Sequence, residues 1–202
     1  RSGILLPASA KMAQLQTGYY NFSWSGGTFD VQLRDGGVFW CPAFPAQATW
    51  AYSPETTTLE IDWGKYGQYV LRVQGDELVG GVRGNEADWR KASFKRAFTP
   101  TEALVSGSAW MLHFENGVPF RIEFRADGHF HCESYPGHFS YRITDDKVAL
   151  EWGKYGSYDF TVDVNAKQMN GSLRGNAASW RRAEYIEPVA AYIKSTECNH
   201  SH

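Results

Sequence analysis

The sequence predicts an all-β protein made of two tandem antiparallel meander barrels, and three observations lead to this fold class. The 202-residue chain contains 8 Trp, 11 Tyr and 12 Phe together with 20 Gly. This composition is typical of sheets whose aromatic side chains pack across strands and whose turns use Gly. Apolar and polar residues alternate along many short segments. The chain also repeats itself at an offset of 91 residues, which aligns Cys41 with Cys132.

Short motifs recur along with the strand pattern. Trp-Gly-Lys-Tyr-Gly occurs at residues 63–67 and 152–156, Arg-Gly-Asn at 83–85 and 174–176, and Trp-Arg at 89–90 and 180–181. We therefore infer a tandem duplication. The predicted division is an N-terminal extension at 1–17, a first barrel at 18–97, a linker at 98–108, a second barrel at 109–187 and a C-terminal tail at 188–202.

Alternation with a period of two predicts the strands of each copy in order. It marks residues 29–33 and 120–124, then 59–63 and 148–152, then 69–73 and 158–162. The apolar set of each strand is expected to face a core. The segments that follow bring the total to about eight short strands per copy. Short helical or irregular segments are expected only at 8–16, 99–105 and 188–194. The core is expected to be filled by large residues, namely Phe29, Leu33, Trp63, Tyr69, Leu71 and Phe94.

Eight antiparallel strands in a meander favour a closed barrel, because closure leaves no unpaired edge. No specific family motif is matched, because Gly18-Tyr19-Tyr20 and Ser108-Ala109-Trp110, at the start of the two copies, each share only one residue with the Gly-x-Trp motif of lipocalins. The strand pattern of most of the chain resembles the calycin class, the lipocalin and avidin type of up-and-down barrel. This resemblance implies an architecture, and it implies a small apolar ligand if the barrels are hollow.

The repeated motifs have a structural and a functional interpretation. In Trp-Gly-Lys-Tyr-Gly, Gly supplies the positive φ of a tight hairpin connection, and the flanking aromatic rings pack on the turn. In Arg-Gly-Asn-x-x-x-Trp-Arg, the Gly-Asn pair suits a left-handed backbone, and Arg83 or Arg90 is expected to stack on a Trp ring. The functional alternative is a binding site presented twice. Its candidate residues are Trp63, Lys65, Tyr66, Arg83, Asn85, Trp89, Arg90, Trp152, Lys154, Tyr155, Arg174, Asn176, Trp180 and Arg181.

Three histidines form the one candidate metal site. His129 and His131 are two residues apart on a predicted strand and therefore point to the same face, where two imidazoles can bind zinc. His113 or His138 would be the third ligand. In the first copy the aligned residues are Val38 and Trp40, while Phe39 and Cys41 match Phe130 and Cys132. The shared Phe and Cys face is thus predicted to be the core, which leaves the imidazoles outside, so a metal is not expected.

Charge and cysteine content exclude several classes of protein. The formal net charge is −2 and the pI is near 6.3, so the basic field that nucleic acid requires is missing. No apolar run approaches the roughly 18 residues of a membrane-spanning helix. Three cysteines without a Cys-x-x-Cys pair favour a reducing intracellular or organellar compartment and buried packing thiols. The chain begins with Arg-Ser-Gly, as a mature protein does after removal of a presequence.

The sequence favours a noncatalytic interaction or structural module, such as an accessory subunit that binds other protein subunits, because no catalytic motif is present. No cofactor is implied. One alternative is a calycin-like protein that binds a small hydrophobic ligand. The other is a carbohydrate-binding protein, with stacking platforms at Trp50, Trp89, Trp110 and Trp180.

Overall fold

The computed structural model describes residues 14–189, which form two compact units that divide between Ala97 and Phe98. Each unit contains a closed barrel of eight antiparallel strands. The all-β class and the tandem barrels are therefore confirmed. Two of the predicted helical segments, 8–16 and 188–194, lie mostly outside the described residues. Cys198 lies outside them as well. The parts that are described, 14–16 and 188–189, are not helical.

The first barrel consists of strands β1 to β8, each paired with the next, and β8 closes the sheet by pairing with β1. Register places Leu59 opposite Leu71 and Ile61 opposite Tyr69, so the apolar sets of neighbouring strands share the inner face. The strands are β1 (Gly18–Trp24), β2 (Gly27–Arg34), β3 (Val38–Trp40), β4 (Ala48–Ser53), β5 (Thr58–Asp62), β6 (Gln68–Gln74), β7 (Glu77–Val82) and β8 (Asn85–Arg96).

The second unit begins with a short helix, α1 (Pro100–Val105), which confirms the helix predicted at 99–105. The Thr99 side chain and the Glu102 side chain cap its N-terminus reciprocally, an arrangement that satisfies two backbone donors. Eight strands follow, and antiparallel pairing of β16 with β9 closes them into a barrel. They are β9 (Ser108–Phe114), β10 (Phe120–Phe124), β11 (His129–His131), β12 (Phe139–Thr144), β13 (Lys147–Glu151), β14 (Ser157–Asp163), β15 (Gln168–Leu173) and β16 (Asn176–Pro188).

Both barrel interiors are filled by large side chains, as the alternation predicts. Leu71, Phe130 and Leu150 are fully buried, and each barrel has one continuous apolar core. The prediction was wrong for Phe94, which is 41% exposed. Phe94 lies near the end of β8, where its ring packs edge-on against Tyr20 at 5.4 Å. It therefore lines the open end of the first barrel instead of its interior.

The two Trp-Gly-Lys-Tyr-Gly segments form the same tight turn, as expected. In the first barrel the Trp63 N–H donates to the carbonyl of Gly67 at 2.9 Å, and the Gly67 N–H donates to the carbonyl of Gly64 at 3.1 Å. Gly67 has φ 104° and ψ −175°, a region that only Gly adopts without strain. In the second barrel Gly156 has φ 102° and ψ −179°. The glycine is thus required by backbone geometry in both copies.

Replacing this glycine is expected to destabilise the first barrel through the backbone alone. A Cβ at Gly67 would meet no atom closer than 3.6 Å, so Gly67→Ala should lower the free energy of unfolding by about 1–3 kcal/mol through backbone strain. Lys65→Ala in the same turn is the control, because Lys65 is exposed and its loss should stay within about 0.5 kcal/mol. Urea unfolding measures both. Equal stability of the two variants would contradict the assigned backbone geometry.

Candidate functional site: paired aromatic pockets

One end of the first barrel opens into an aromatic pocket. The rings of this pocket come from β1, β2 and β6, from the loop after β3, and from the Trp-Gly-Lys-Tyr-Gly turn, while β8 supplies an arginine. The cavity has a volume of about 170 Å³. Its lining residues are Phe22, Trp24, Phe29, Phe44, Trp63, Tyr66, Tyr69 and Arg90.

The second barrel has the same pocket at the aligned end, again with a cavity volume of about 170 Å³. Each residue that lines it is aligned with a lining residue of the first pocket, with Phe114 in the place of Trp24 and Tyr135 in the place of Phe44, whereas Phe22 has no counterpart in the second lining. The lining residues are Phe114, Phe120, Tyr135, Trp152, Tyr155, Tyr158 and Arg181. The duplication has therefore preserved a cavity as well as a scaffold.

A buried tryptophan forms the floor of each pocket. Trp63 is 3% exposed and Trp152 is 4% exposed. The Trp63 ring lies 4.7 Å from Phe39 and 5.9 Å from Tyr69, measured between centroids. The Trp152 ring lies 4.9 Å from Phe130 and 5.9 Å from Tyr158. Most of these pairs meet edge to face, the arrangement that aromatic rings prefer.

A tyrosine at the start of the strand after each turn donates a hydrogen bond to the turn backbone. The Tyr69 hydroxyl donates to the carbonyl of Tyr66 at 2.5 Å, and the Tyr158 hydroxyl donates to the carbonyl of Tyr155 at 2.9 Å. Lys65 and Lys154 lie over the rings of Tyr66 and Tyr155 at 5.0 and 5.1 Å. The Tyr66 and Tyr155 rings form a wall of each pocket.

An arginine stacks on the rings of each pocket. The Arg90 guanidinium lies 5.0 Å from the Tyr69 ring and 5.5 Å from the Trp24 ring. Burial would lower the pKa of Arg90, but hydrogen bonds with Asp88 and Tyr69 outweigh this effect, and its pKa is raised. The side chain is therefore a guanidinium cation at neutral pH. Arg90 was predicted to stack on a Trp ring, and this prediction is confirmed.

Arg181 occupies the same place in the second barrel. Its guanidinium lies 4.9 Å from the Tyr158 ring and 5.4 Å from the Phe114 ring. One nitrogen donates to the Trp180 carbonyl at 2.8 Å, and another donates to the Tyr158 hydroxyl at 3.3 Å. These contacts hold the guanidinium at the cavity wall.

The structure separates the sequence-predicted candidates into pocket residues and surface residues. Trp63, Tyr66 and Arg90, with Trp152, Tyr155 and Arg181, line the two cavities. Lys65 and Lys154 lie on the outer side of the turn tyrosines. The remaining predicted residues line neither cavity, and they are Arg83, Asn85, Trp89, Arg174, Asn176 and Trp180.

Arg83 and Arg174 form exposed ion pairs with neighbouring carboxylates. Arg83 pairs with Glu60 at 2.9 Å. Arg174 pairs with Glu151 and Asp159, each at 2.8 Å. Hydrogen bonds from Arg174 lower the pKa of the Asp159 carboxyl.

The left-handed backbone expected for both residues of the Gly-Asn pair is present only at the glycine. Gly84 has φ 81° and Gly175 has φ 80°. Asn85 and Asn176 are instead the first residues of β8 and β16 and do not have positive φ. The Asn176 side chain accepts from the Ala178 N–H at 3.2 Å, so it supports the start of the strand.

Sequence reasoning missed the residues that complete the pocket walls. Phe44 and Tyr135 lie in loops without alternation, and Trp24 and Phe114 end their strands at the rim. A signal was available, since aligned positions of the two copies retain an aromatic ring even where its type changes. Aligned positions that are aromatic in both copies, although the residue type differs, are typical of side chains that pack in an aromatic cluster.

Among residues 14–189 no group of three or more His, Cys, Asp or Glu side chains is placed to hold a metal ion. His129 lies 6.0 Å from the ring of His138 and 3.7 Å from the Asp127 carboxylate. His113 lies 3.7 Å from the Glu184 carboxylate. The structure therefore does not bring His113, His129 and His131 together as a three-ligand site.

The predicted stacking platforms differ in exposure. Trp110 is fully buried, and its Nε1–H donates to the Ser108 hydroxyl at 2.8 Å, so it cannot present a face to a sugar. Trp50 donates to the Arg34 carbonyl at 2.9 Å and is half-buried. Trp89 and Trp180 are 40% and 43% exposed, and they remain available to a partner or ligand.

A further cavity of about 350 Å³ lies at the opposite end of the first barrel. It is bounded by the turn between β6 and β7 and by the start of the described chain, and its walls include Leu15, Tyr20 and Phe94. At the aligned end of the second barrel, Leu104 and the fully buried Val105 of α1 pack on the core. Burial raises the pKa of the Tyr20 hydroxyl to about 12.

Comparisons with family models, with curated proteins and with solved structures give no match. The structure contains no helix among the described residues that is long and apolar enough to cross a membrane.

The two core cysteines are expected to react slowly with thiol reagents. Burial raises the pKa of the Cys41 and Cys132 thiols, so at pH 8 less thiolate forms than in an exposed cysteine. The Cys198→Ser variant leaves Cys41 and Cys132 as the only thiols. At pH 8, a disulfide reagent should label these two thiols at least about 100-fold more slowly in the folded protein than in protein unfolded by guanidinium. Equal rates would contradict their assignment as core thiols.

Proposed function

We propose that this protein is a noncatalytic interaction module in which the aromatic pocket of each barrel receives one apolar or aromatic side chain of a protein partner. The observation that carries the proposal is the recurrence of one pocket at aligned positions, with a cavity of about 170 Å³ in each barrel. The pockets consist of rings and a stacked arginine, and among the described residues their walls include no carboxylate, histidine or cysteine suited to acid, base or nucleophilic chemistry. This supports binding instead of catalysis.

Cavity size supports a side chain as the occupant. Pockets for drug-sized ligands usually measure about 300–1,000 Å³, whereas an engineered apolar cavity of about 150 Å³ takes a single benzene. Each pocket here matches one ring or one branched aliphatic group. A protein partner offers such groups as anchors, and anchors in well-packed pockets carry most of the binding energy at protein interfaces.

Exposed tryptophans around the pocket residues support a protein partner as well. Trp24 lines the first cavity and is 37% exposed. Trp89 and Trp180 directly precede the pocket arginines in β8 and β16 and therefore present their rings on the outer face of each barrel. Tryptophan is enriched at protein interfaces and in their energetic centres. Surface rings next to an apolar cavity are consistent with a rim that a partner covers.

The barrel architecture fits a calycin-like meander, but the filled interiors favour binding at the mouth. Phe39 and Leu71 in the first barrel, and Phe130 and Leu150 in the second, occupy the space where a lipocalin-type ligand would lie. We therefore place the ligand group above Trp63 and Trp152.

A peptide display selection tests this function. The full chain should enrich peptides that contain Phe, Trp, Leu or Met, and a Tyr66→Ala/Tyr155→Ala double variant should weaken their binding about tenfold or more, because a wall of each pocket is lost. Lys147→Ala is the matched control and should bind as the wild type does. Lys147 is exposed next to the β12–β13 turn, at the barrel end opposite the pocket.

Two results would contradict the proposal and favour the alternatives. The first is a native mass spectrum of freshly purified protein with a stoichiometric lipid. The second is a glycan-array signal that is lost in a Trp89→Ala/Trp180→Ala variant and retained in the tyrosine variant. A circular dichroism melt of each variant separates loss of binding from loss of fold.

A further inference from the structure

We propose that the pocket of the second barrel, and not that of the first, recognises a carboxylate. Its occupant is the C-terminal residue of a partner protein, with an aromatic or large aliphatic side chain in the cavity and its α-carboxylate on Arg181. This inference rests on the proposed function of the same pockets. The observation that supports the inference is a difference in charge between the two pockets: a carboxylate pairs with the arginine of the first pocket, and a hydroxyl takes its place in the second.

The arginine of the first pocket already has a carboxylate partner. Arg90 donates to the Asp88 carboxylate at 2.5 Å and also to the Trp89 carbonyl at 2.9 Å. Its side chain is only 10% exposed. Because the ion pair is internal to β8, the positive charge of this pocket is compensated before any ligand binds.

The arginine of the second pocket has no such partner. The residue aligned with Asp88 is Ser179, whose hydroxyl accepts from Arg181 at 3.2 Å. Within residues 14–189, Arg181 forms no ion pair, and its other hydrogen-bond acceptors are the Trp180 carbonyl and the Tyr158 hydroxyl. A guanidinium has five N–H donors, so donors remain for a ligand.

Two further changes at this end make the second pocket less acidic or more polar. Glu86 of the first barrel aligns with Ala177, so both acidic residues at the start of β8 are lost in β16. Tyr135 replaces Phe44 and adds a hydroxyl to the cavity wall. Glu115 and Glu133, in the neighbouring loops, have no acidic counterpart in the first copy and act in the opposite direction, but both are exposed and neither lines the cavity. The second pocket therefore combines an apolar floor with an arginine that has no ion-pair partner among residues 14–189.

This combination selects the chemistry of the occupant. An internal Asp or Glu offers a carboxylate but has little apolar surface to cover the Trp152 ring. An internal Phe or Leu fills the cavity but leaves Arg181 without an anion. A C-terminal Phe, Trp, Leu or Met has both groups two bonds apart, and Arg is the side chain best suited to bind a carboxylate through two hydrogen bonds.

Matched peptides test the inference on the full chain. The probes are acetyl-Gly-Ser-Gly-Phe with a free carboxylate and the same peptide with a C-terminal amide, and isothermal titration calorimetry or NMR measures their affinities. Tyr66→Ala isolates the second pocket, and Tyr155→Ala isolates the first. We expect the second pocket to bind the acid about tenfold more tightly than the amide, as a charge-assisted hydrogen bond allows. The first pocket should bind both equally.

A reciprocal exchange of one residue provides the control. Ser179→Asp installs the internal ion pair of the first barrel and should abolish the preference of the second pocket for the acid while amide binding persists. Asp88→Ser should give the first pocket a preference for the acid. The measured quantity is the ratio of the two affinities, so a modest loss of stability in either variant does not obscure the result.

The outcomes distinguish this inference from the function on which it rests. Equal binding of acid and amide at the second pocket overturns carboxylate recognition and leaves side-chain binding intact. Binding of neither peptide overturns both. A preference for the acid that survives Ser179→Asp overturns the role assigned to Arg181.

Discussion

Packing of one indole ring at the end of each barrel determines how that end is built. Trp63 and Trp152 end the alternation of β5 and β13 and lie beneath the rings of the turn that follows. Removal of such a buried ring typically costs about 3–5 kcal/mol. The turn glycines, the turn tyrosines and the loop aromatics all have conformations that fit around this ring. The same interaction thus closes the core and forms the floor of a cavity, which explains why a fold motif and a pocket share one sequence signature.

Duplication preserved the scaffold and allowed the two sites to differ in charge. Both barrels retain the stacked arginine, and its contacts with two rings are nearly equal in length. The neighbouring residue differs, with a carboxylate in one copy and a hydroxyl in the other. A buried or half-buried cation is sensitive to such a change because few other groups screen it. Small substitutions beside a retained arginine are a simple way for a duplicated module to obtain two specificities.

The sequence was sufficient to predict the barrels but only part of the site. Alternation, together with a repeat of fixed offset, predicted strands, core cysteines and the tight turn, because these features depend on local periodicity and backbone geometry. The pocket required contacts between distant segments, such as Phe44 with Trp63 and Tyr135 with Trp152, which periodicity does not encode. Conversely, Arg83 and Arg174 matched as a motif but serve exposed ion pairs. Burial of Trp110 and exposure of Phe94 depended on barrel closure and could not be read from alternation alone.

The central claim is that each indole lies buried beneath a ring of aromatic side chains, and NMR tests it most directly. With tryptophan selectively labelled in the full chain, we expect nuclear Overhauser effects from the Trp63 ring to Phe39 and Tyr69, and from the Trp152 ring to Phe130 and Tyr158. Absence of these contacts, with both indole signals broadened by a soluble paramagnetic agent, would contradict it.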